Sequence, residues 1–187
     1  MKQHVMLDLE TLNITPDGVI LSIGAVKFDP YSLQDPEHGL YLRLDVDEQT
    51  ALGRTVDDKT IQWWSTQPDD VRDEAFTDFD RVGLQEFYAQ FNKFVSNVEC
   101  VWAQGTVFDI GMIENLYRQM GWPVPWHFWQ ICDSRTLFKV FGEQRQKHKE
   151  TLHNPFMDAY NQAKAVQQVY KIFDIKENAN NFQSRGG

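Results

Sequence analysis

Asp8 and Glu10, two residues apart in Val5-Met6-Leu7-Asp8-Leu9-Glu10-Thr11, are the first side chains able to do chemistry together. Val5, Leu7 and Leu9 alternate with Met6, Asp8 and Glu10, the period of a short strand with two differently occupied faces. Residues i and i+2 of a strand share a face, so both carboxylates project into one small volume. Two anions so placed repel, and apolar surroundings raise the cost of keeping both charged. A divalent cation relieves that conflict, and hard cations such as Mg²⁺ or Mn²⁺ take oxygen ligands. The plainer outcome, a Glu that ends a strand and faces water, is the commoner one for such a stretch taken alone.

Asp109, Asp158 and His153 extend the set. Asp109 follows the apolar segment Cys100–Ala103 and the turn Gln104-Gly105-Thr106, close to the start of a helix. That is the carboxyl end of a strand, where α/β folds present functional groups. An Asp in a first helical turn also simply complements the helix dipole. Asp158 has the same two readings, one turn after Asn154-Pro155. His153 stands just before that cap, where a lone His more often packs or faces solvent than catalyses.

The elements that position these groups are strands first and helices later. Val5–Glu10, Val19–Phe28 and Gly39–Leu44 read as strands, separated by the turn Thr15-Pro16-Asp17-Gly18 and a loop with Asp29-Pro30 and Asp35-Pro36. Short connections make an antiparallel three-strand meander the economical arrangement. Thr60–Trp64, capped by Asp57 or Asp58, and Asp69–Phe76, opened by Pro68, read as helices. From Val82, the residues Leu84, Phe87, Tyr88, Phe91, Phe94 and Val95 follow helical spacing. Val98–Ala103 is a strand, Phe108–Met120 a helix, Gly121–Trp129 a loop, Ile131–Asp133 the end of a further strand, and Ser134–Phe141 a helix. Pro155–Phe173 is a long last helix with Asn154 as cap. Strands followed by alternating helix and strand predict an α/β layered fold with a mixed sheet, parallel strands joining the meander and helices flanking it.

Length and composition set the limits. A hydrophobic fraction of 42% with 13% aromatic residues belongs to a chain with a packed core. The expected organisation is a single domain over residues 1–175 and a polar, mobile tail over 176–187. No apolar run nears the ~20 residues that span a bilayer, and the first residues lack a signal-peptide pattern. The expectation is a cytoplasmic protein with no membrane partner. Cys100 and Cys132 are too few for a disulfide framework and are expected as buried, reduced thiols. A net charge of −9 argues against coating nucleic acid with a broad basic surface. It leaves room for an enzyme that grips one strand end, with bound cations offsetting some of the acids.

Three motifs in order change the weighting: Leu7-Asp8-Leu9-Glu10-Thr11, Trp102-Ala103-Gln104-Gly105-Thr106-Val107-Phe108-Asp109, and His153-Asn154-Pro155-Phe156-Met157-Asp158-Ala159. Their order and spacing, from about Val5 to about Tyr170, resemble the DEDDh (DnaQ-like) 3'-5' exonucleases, which have a ribonuclease-H-like fold. Ile23–Phe28, Thr60–Gln67 and Asp133–Leu137 further resemble the small phage and bacterial branch of phage T4 DexA-type and exonuclease VIII-like enzymes. The resemblance implies hydrolysis of single-stranded DNA or RNA from a free 3' end, releasing nucleoside 5'-monophosphates. It implies two divalent metal ions, Mg²⁺ or Mn²⁺, held by Asp8, Glu10, Asp109 and Asp158, with Asp8 shared between them. It makes His153 the general base, a role its near-neutral unperturbed pKa suits. A pair of cations is a chemically apt device for phosphodiester hydrolysis, since it can stabilise both the attacking and the departing oxygen.

Substrate contacts follow the same resemblance. Thr11 and Leu12, just after the D-x-E, are expected against the terminal nucleotide, with Leu12 wedging between bases. Trp63 and Trp64 can stack on a base or fill the core, and for at least one of them the core is the better reading. Phe108 carries the same ambiguity. Arg135, Lys139, Arg145, Lys147, His148 and Lys149 form either a phosphate-guiding strip or a solvated loop. The loop Trp122–Trp129 either buries against a second copy, making a homodimer, or folds back. Two rival functions stay open: a non-catalytic nucleic-acid-binding or polymerase-associated module of the same fold, and a metal-dependent endonuclease of the wider group.

Overall fold

The sheet at the centre of the fold has the strand order β4 (Arg81–Val82), β3 (Glu37–Leu44), β2 (Ile20–Phe28), β1 (His4–Thr11), β5 (Cys100–Ala103), β6 (Ile131–Asp133). It comes from a computed structural model that describes residues 3–142 and 153–177. The first three strands form the antiparallel meander that their short connections predict. β4 joins β3, β5 joins β1 and β6 joins β5, all in parallel. Arg145, Lys147, His148 and Lys149 lie outside the described residues, as does the tail from 178.

Alternation along β1 divides the sheet into two chemically different faces. Val5, Leu7 and Leu9 join Ile23, Ala25, Leu42 and Leu44 in a core closed by α4 (Leu84–Val95) and α5 (Asp109–Gln119). Met6, Val26, Phe28 and Trp102 turn the other way, onto α6 (Ser134–Phe141) and α7 (Pro155–Ile172). By the same period Asp8 and Glu10 belong to the α7 face. Alanines 159, 163 and 165 let α7 lie close against that face.

A register shift between Glu10 and Thr11 ends the regular part of β1, because Glu10 pairs with Ser22 but Thr11 with Ile20. The extra residue, Leu21, is turned into a third cluster with Leu12, Val19, Trp64 and Ala75 of α3 (Asp69–Phe76). Gln49 repairs the irregular ladder: its amide accepts from the Ile20 N–H and donates to the Ile20 carbonyl, both at 2.8 Å. Gln49 comes from α1 (Val46–Ala51), a six-residue helix capped by Asp45 that the periodicity does not announce. α1 also supplies Glu48, which accepts the Leu84 N–H at 2.7 Å and so caps α4, whose own cap position is Gly83. β4, two residues long, is likewise too short to leave a pattern.

The Trp-rich loop folds back. Trp126 is buried and donates to Glu114, and Trp122 packs on Tyr88 and Tyr117. Of its large apolar side chains, Phe128 and Trp129 at its end are exposed. Cys100 and Cys132 are not disulfide-bonded, and each is partly rather than fully buried, under α6 and α7. Among the described residues no helix is long and apolar enough to cross a membrane.

Candidate active site

Asp8, Glu10 and Asp158 converge on the α7 face of the sheet, each offering a carboxylate oxygen within 4.8 Å of the others. β1 supplies two of them by its alternation. The third arrives because α7 begins on top of the neighbouring strand. Gly24 pairs with Asp8 across β1 and β2, and a β-carbon there would stand 2.1 Å from the Phe156 backbone nitrogen. Only a residue without a side chain lets the helix start so low. The start itself is set by Asn154, whose side chain accepts the Met157 N–H at 3.1 Å, and by Pro155 in the first position.

Asp109 reaches the same region by a different route. β5 pairs with β1 only as far as Trp102 opposite Met6, so the Leu9 amide beyond it has no strand carbonyl to meet. Asp109 Oδ1 accepts that N–H at 3.2 Å, from a fully buried position at the start of α5. Its carboxylate is therefore turned to the β1 backbone and stands apart from the tight group of three. The turn before it is fastened by Asp133, which accepts from Thr106 and also caps α6.

Electrostatics set this group apart from a surface cluster. Burial pushes the Glu10 carboxyl well above its ordinary range, and Asp8, Asp158 and Asp109 raise it further, in that order. Asp109 is pushed up to about 7, chiefly by burial, while the Leu9 amide and the Arg135 guanidinium oppose the shift. Asp8, Glu10 and Asp158 offer an all-oxygen donor set suited to a hard divalent cation, which would favour their anionic forms, with the Asp109 carboxylate nearby.

His153 stands at the rim, about a third exposed, with Nδ1 4.0 Å from Glu10 Oε1. Its backbone is left-handed, with φ at +65°, which turns the chain sharply into α7. The imidazole lies edge-on to Trp63, with ring centroids 4.9 Å apart, and more distantly to Trp64 at 6.4 Å.

The other candidates divide. Leu12 is 5% exposed, packed in the third cluster with Leu21, Val19 and Trp64. Thr11 is buried too, its hydroxyl donating to the Asn13 carbonyl and its own carbonyl accepting from Trp64 Nε1. Trp64 is core, whereas Trp63 is 42% exposed on the next position of α2 (Asp58–Ser65), beside His153. Phe108 is half-buried against the α5 core, and it is Val107 that is exposed at that turn. Arg135 is exposed, folded across Gly105 with Nη2 donating to the Gln104 carbonyl at 2.7 Å. Gln162 passes unnoticed in the sequence, yet it is buried and donates to Asp8 Oδ1 at 2.9 Å. Its signal is a polar residue one turn beyond Asp158, among the alanines that face the sheet.

The family described as "3'-5' exoribonuclease Rv2179c-like domain" matches residues 3–170. Among solved structures, the zinc-bound complex of Escherichia coli exonuclease I with single-stranded DNA aligns with a TM-score of 0.62 at 13% identity. That alignment covers 93% of this chain and 43% of the other. A moderately thermophilic exonuclease I from Methylocaldum szegediense gives 0.56 at 14%, over 95% and 41% of the two chains. The nuclease domain of 3'hExo, a DEDDh family member bound to rAMP, gives 0.52 at 12%, over 93% of both. The chain thus spans about two fifths of the exonuclease I structures it matches, and at such identities the likeness is one of fold. No curated protein matches significantly.

Proposed function

The chain belongs to the Rv2179c-like 3'-5' exoribonuclease domain family, and from that premise we propose that it is a DEDDh-type 3'-5' exonuclease in which Asp8, Glu10, Asp109 and Asp158 hold divalent cations while His153 is the general base. The observation that carries the reading is the convergence of three carboxylates within 4.8 Å, two of them a strand's i, i+2 pair, with His153 at the rim. When bound, Mg²⁺ or Mn²⁺, as a pair, would supply charge stabilisation at the phosphate and at the departing 3' oxygen. The acids orient the scissile phosphate by fixing where positive charge can sit. His153 takes the proton of the attacking water, and its exposed position lets it meet that water when a strand end is in place. Trp63 stacks on the terminal base, and Arg135, beside Asp109, meets a backbone phosphate.

The substrate is a single strand with a free 3' end, and the products are nucleoside 5'-monophosphates. The family description favours RNA; the single-stranded DNA complex among the structural relatives makes DNA the comparison substrate. A time course on 5'-labelled single-stranded RNA and DNA, with Mg²⁺, Mn²⁺ or EDTA, tests the whole reading. Stepwise shortening from the 3' end that EDTA abolishes is the expected result. Cleavage of circular strands, 3'-phosphate products, or unchanged turnover in EDTA would overturn it.

A further inference from the structure

We infer that Gln162 is a positioning residue for the cation site, holding the Asp8 carboxylate in the orientation in which it meets Glu10 and Asp158. The inference rests on the reading of those acids as cation ligands. Gln162 lies one helical turn beyond Asp158 on α7, so the two side chains share a face. It is 3% exposed, and its Nε2 donates to Asp8 Oδ1 at 2.9 Å. Its Oε1 is equally buried and has no hydrogen-bond partner among the described residues.

That asymmetry identifies what holds the amide. A buried amide oxygen left unpaired is costly. Turning the group over would set that oxygen against a carboxylate, which is worse. The amide is kept in place by donation to a charged acceptor, the strong kind of hydrogen bond. Packing alone does not ask for Gln here. Ala159, Ala163, Val166 and Val169 meet the sheet on the same helix without a polar atom. Donation to one oxygen restricts rotation of the Asp8 carboxyl group, so its orientation no longer depends on a cation to select it. α7 then contributes twice to one site, with Asp158 as donor of an oxygen and Gln162 as the hand that sets Asp8.

Groups that orient metal-binding side chains typically change metal affinity or activity ~10–100-fold when removed. Gln162→Met keeps the length and volume and removes the donor; Gln162→Asn keeps the amide and withdraws it by one methylene. Calorimetric titration of the full chain with Mn²⁺ is the deciding measurement, run beside turnover at increasing Mn²⁺. The expected result is a Kd for Mn²⁺ raised ~10–100-fold, with kcat restored towards the parent by excess Mn²⁺ and KM for the strand unchanged. Parent-like Mn²⁺ affinity in either folded variant overturns the inference. So does a raised KM at unchanged affinity, which would make Gln162 a substrate contact, and so does failure of both variants to fold, which would make it structural. Asp8→Asn is the control. If that variant binds Mn²⁺ and turns over like the parent, the site reading itself fails, whatever the Gln162 variants do.

Discussion

Gly24 and Phe156 meet where α7 lands on the sheet, so closely that a β-carbon on Gly24 would lie 2.1 Å from the Phe156 nitrogen and 2.4 Å from its Cα. The contact is backbone against backbone, so no rotamer change can absorb a methyl group. Gly24→Ala must lift the start of α7, and His153, Asp158 and Gln162 move with it. Overpacking of this kind costs ~1–3 kcal/mol, while a displacement of about 1 Å in a reacting constellation can cost ~10²-fold in rate. Turnover should therefore fall far more than the melting temperature. A variant with normal turnover would show that α7 need not sit so low.

Asp8→Asn should abolish turnover and leave the fold intact. Asn retains an oxygen to accept from Gln162, which Ala would not, and it removes one of the anions that push Glu10 up. Metal-free melting should be unchanged or higher. A melting temperature lowered by many degrees would mean that the carboxylate is part of the scaffold.

The metal-free protein should lose stability as pH rises. Glu10 and Asp109 have folded-state pKa values above those of the unfolded chain, Asp109 at about 7. Between about 4 and about 7 the folded form binds more protons than the unfolded one, so stability is full below that window and is lost on passing up through it. Mn²⁺ or Mg²⁺ should reverse the loss. Melting curves at pH 5 and pH 8, with and without the cation, should show the larger metal-induced rise at pH 8; equal rises would contradict the assigned shifts.

His153→Asn should lower kcat ~10²–10⁴-fold and bind Mn²⁺ nearly as the parent does. Asn is chosen because it tolerates the left-handed backbone at this position better than Ala. Asp158→Ala should lose both turnover and Mn²⁺ binding. Equal loss of affinity in the two variants, read by calorimetry, would make His153 a ligand rather than the base.

The adjacent tryptophans should separate cleanly. Trp64→Ala empties a buried site and orphans the Thr11 carbonyl, at a cost of ~3–5 kcal/mol. Trp63→Ala should melt near the parent and instead raise KM, by the ~1–3 kcal/mol of a lost base stack. Oligonucleotide kinetics beside melting curves would expose an exchange of these roles.

Much of this arrangement is legible in the residues. Strict alternation in β1 announces that Asp8 and Glu10 share a face, and Asn154-Pro155 announces where α7 begins. The meander follows from short turns. What stays hidden depends on distant partners. α1 and β4 are too short to show a period, and the role of Gln49 exists only because Leu21 bulges. Leu12 is expected as a base wedge from its place after the D-x-E, and its packing beside Leu21 in the third cluster follows from the bulge rather than from its type. Asp109 turns to the Leu9 amide because β5 ends early, a fact of register that no local pattern records.

That early ending has a consequence for how the fold can vary. Where most sheets close a strand with solvent or another strand, this one closes the Leu9 position with an acid of the candidate site. The length of β5 and the placing of Asp109 are therefore coupled. A segment lengthened by two residues there would gain a backbone partner for Leu9 and release the carboxylate in the same act. An insertion at this corner should therefore cost turnover, whereas one at the opposite end of the sheet leaves this pairing untouched.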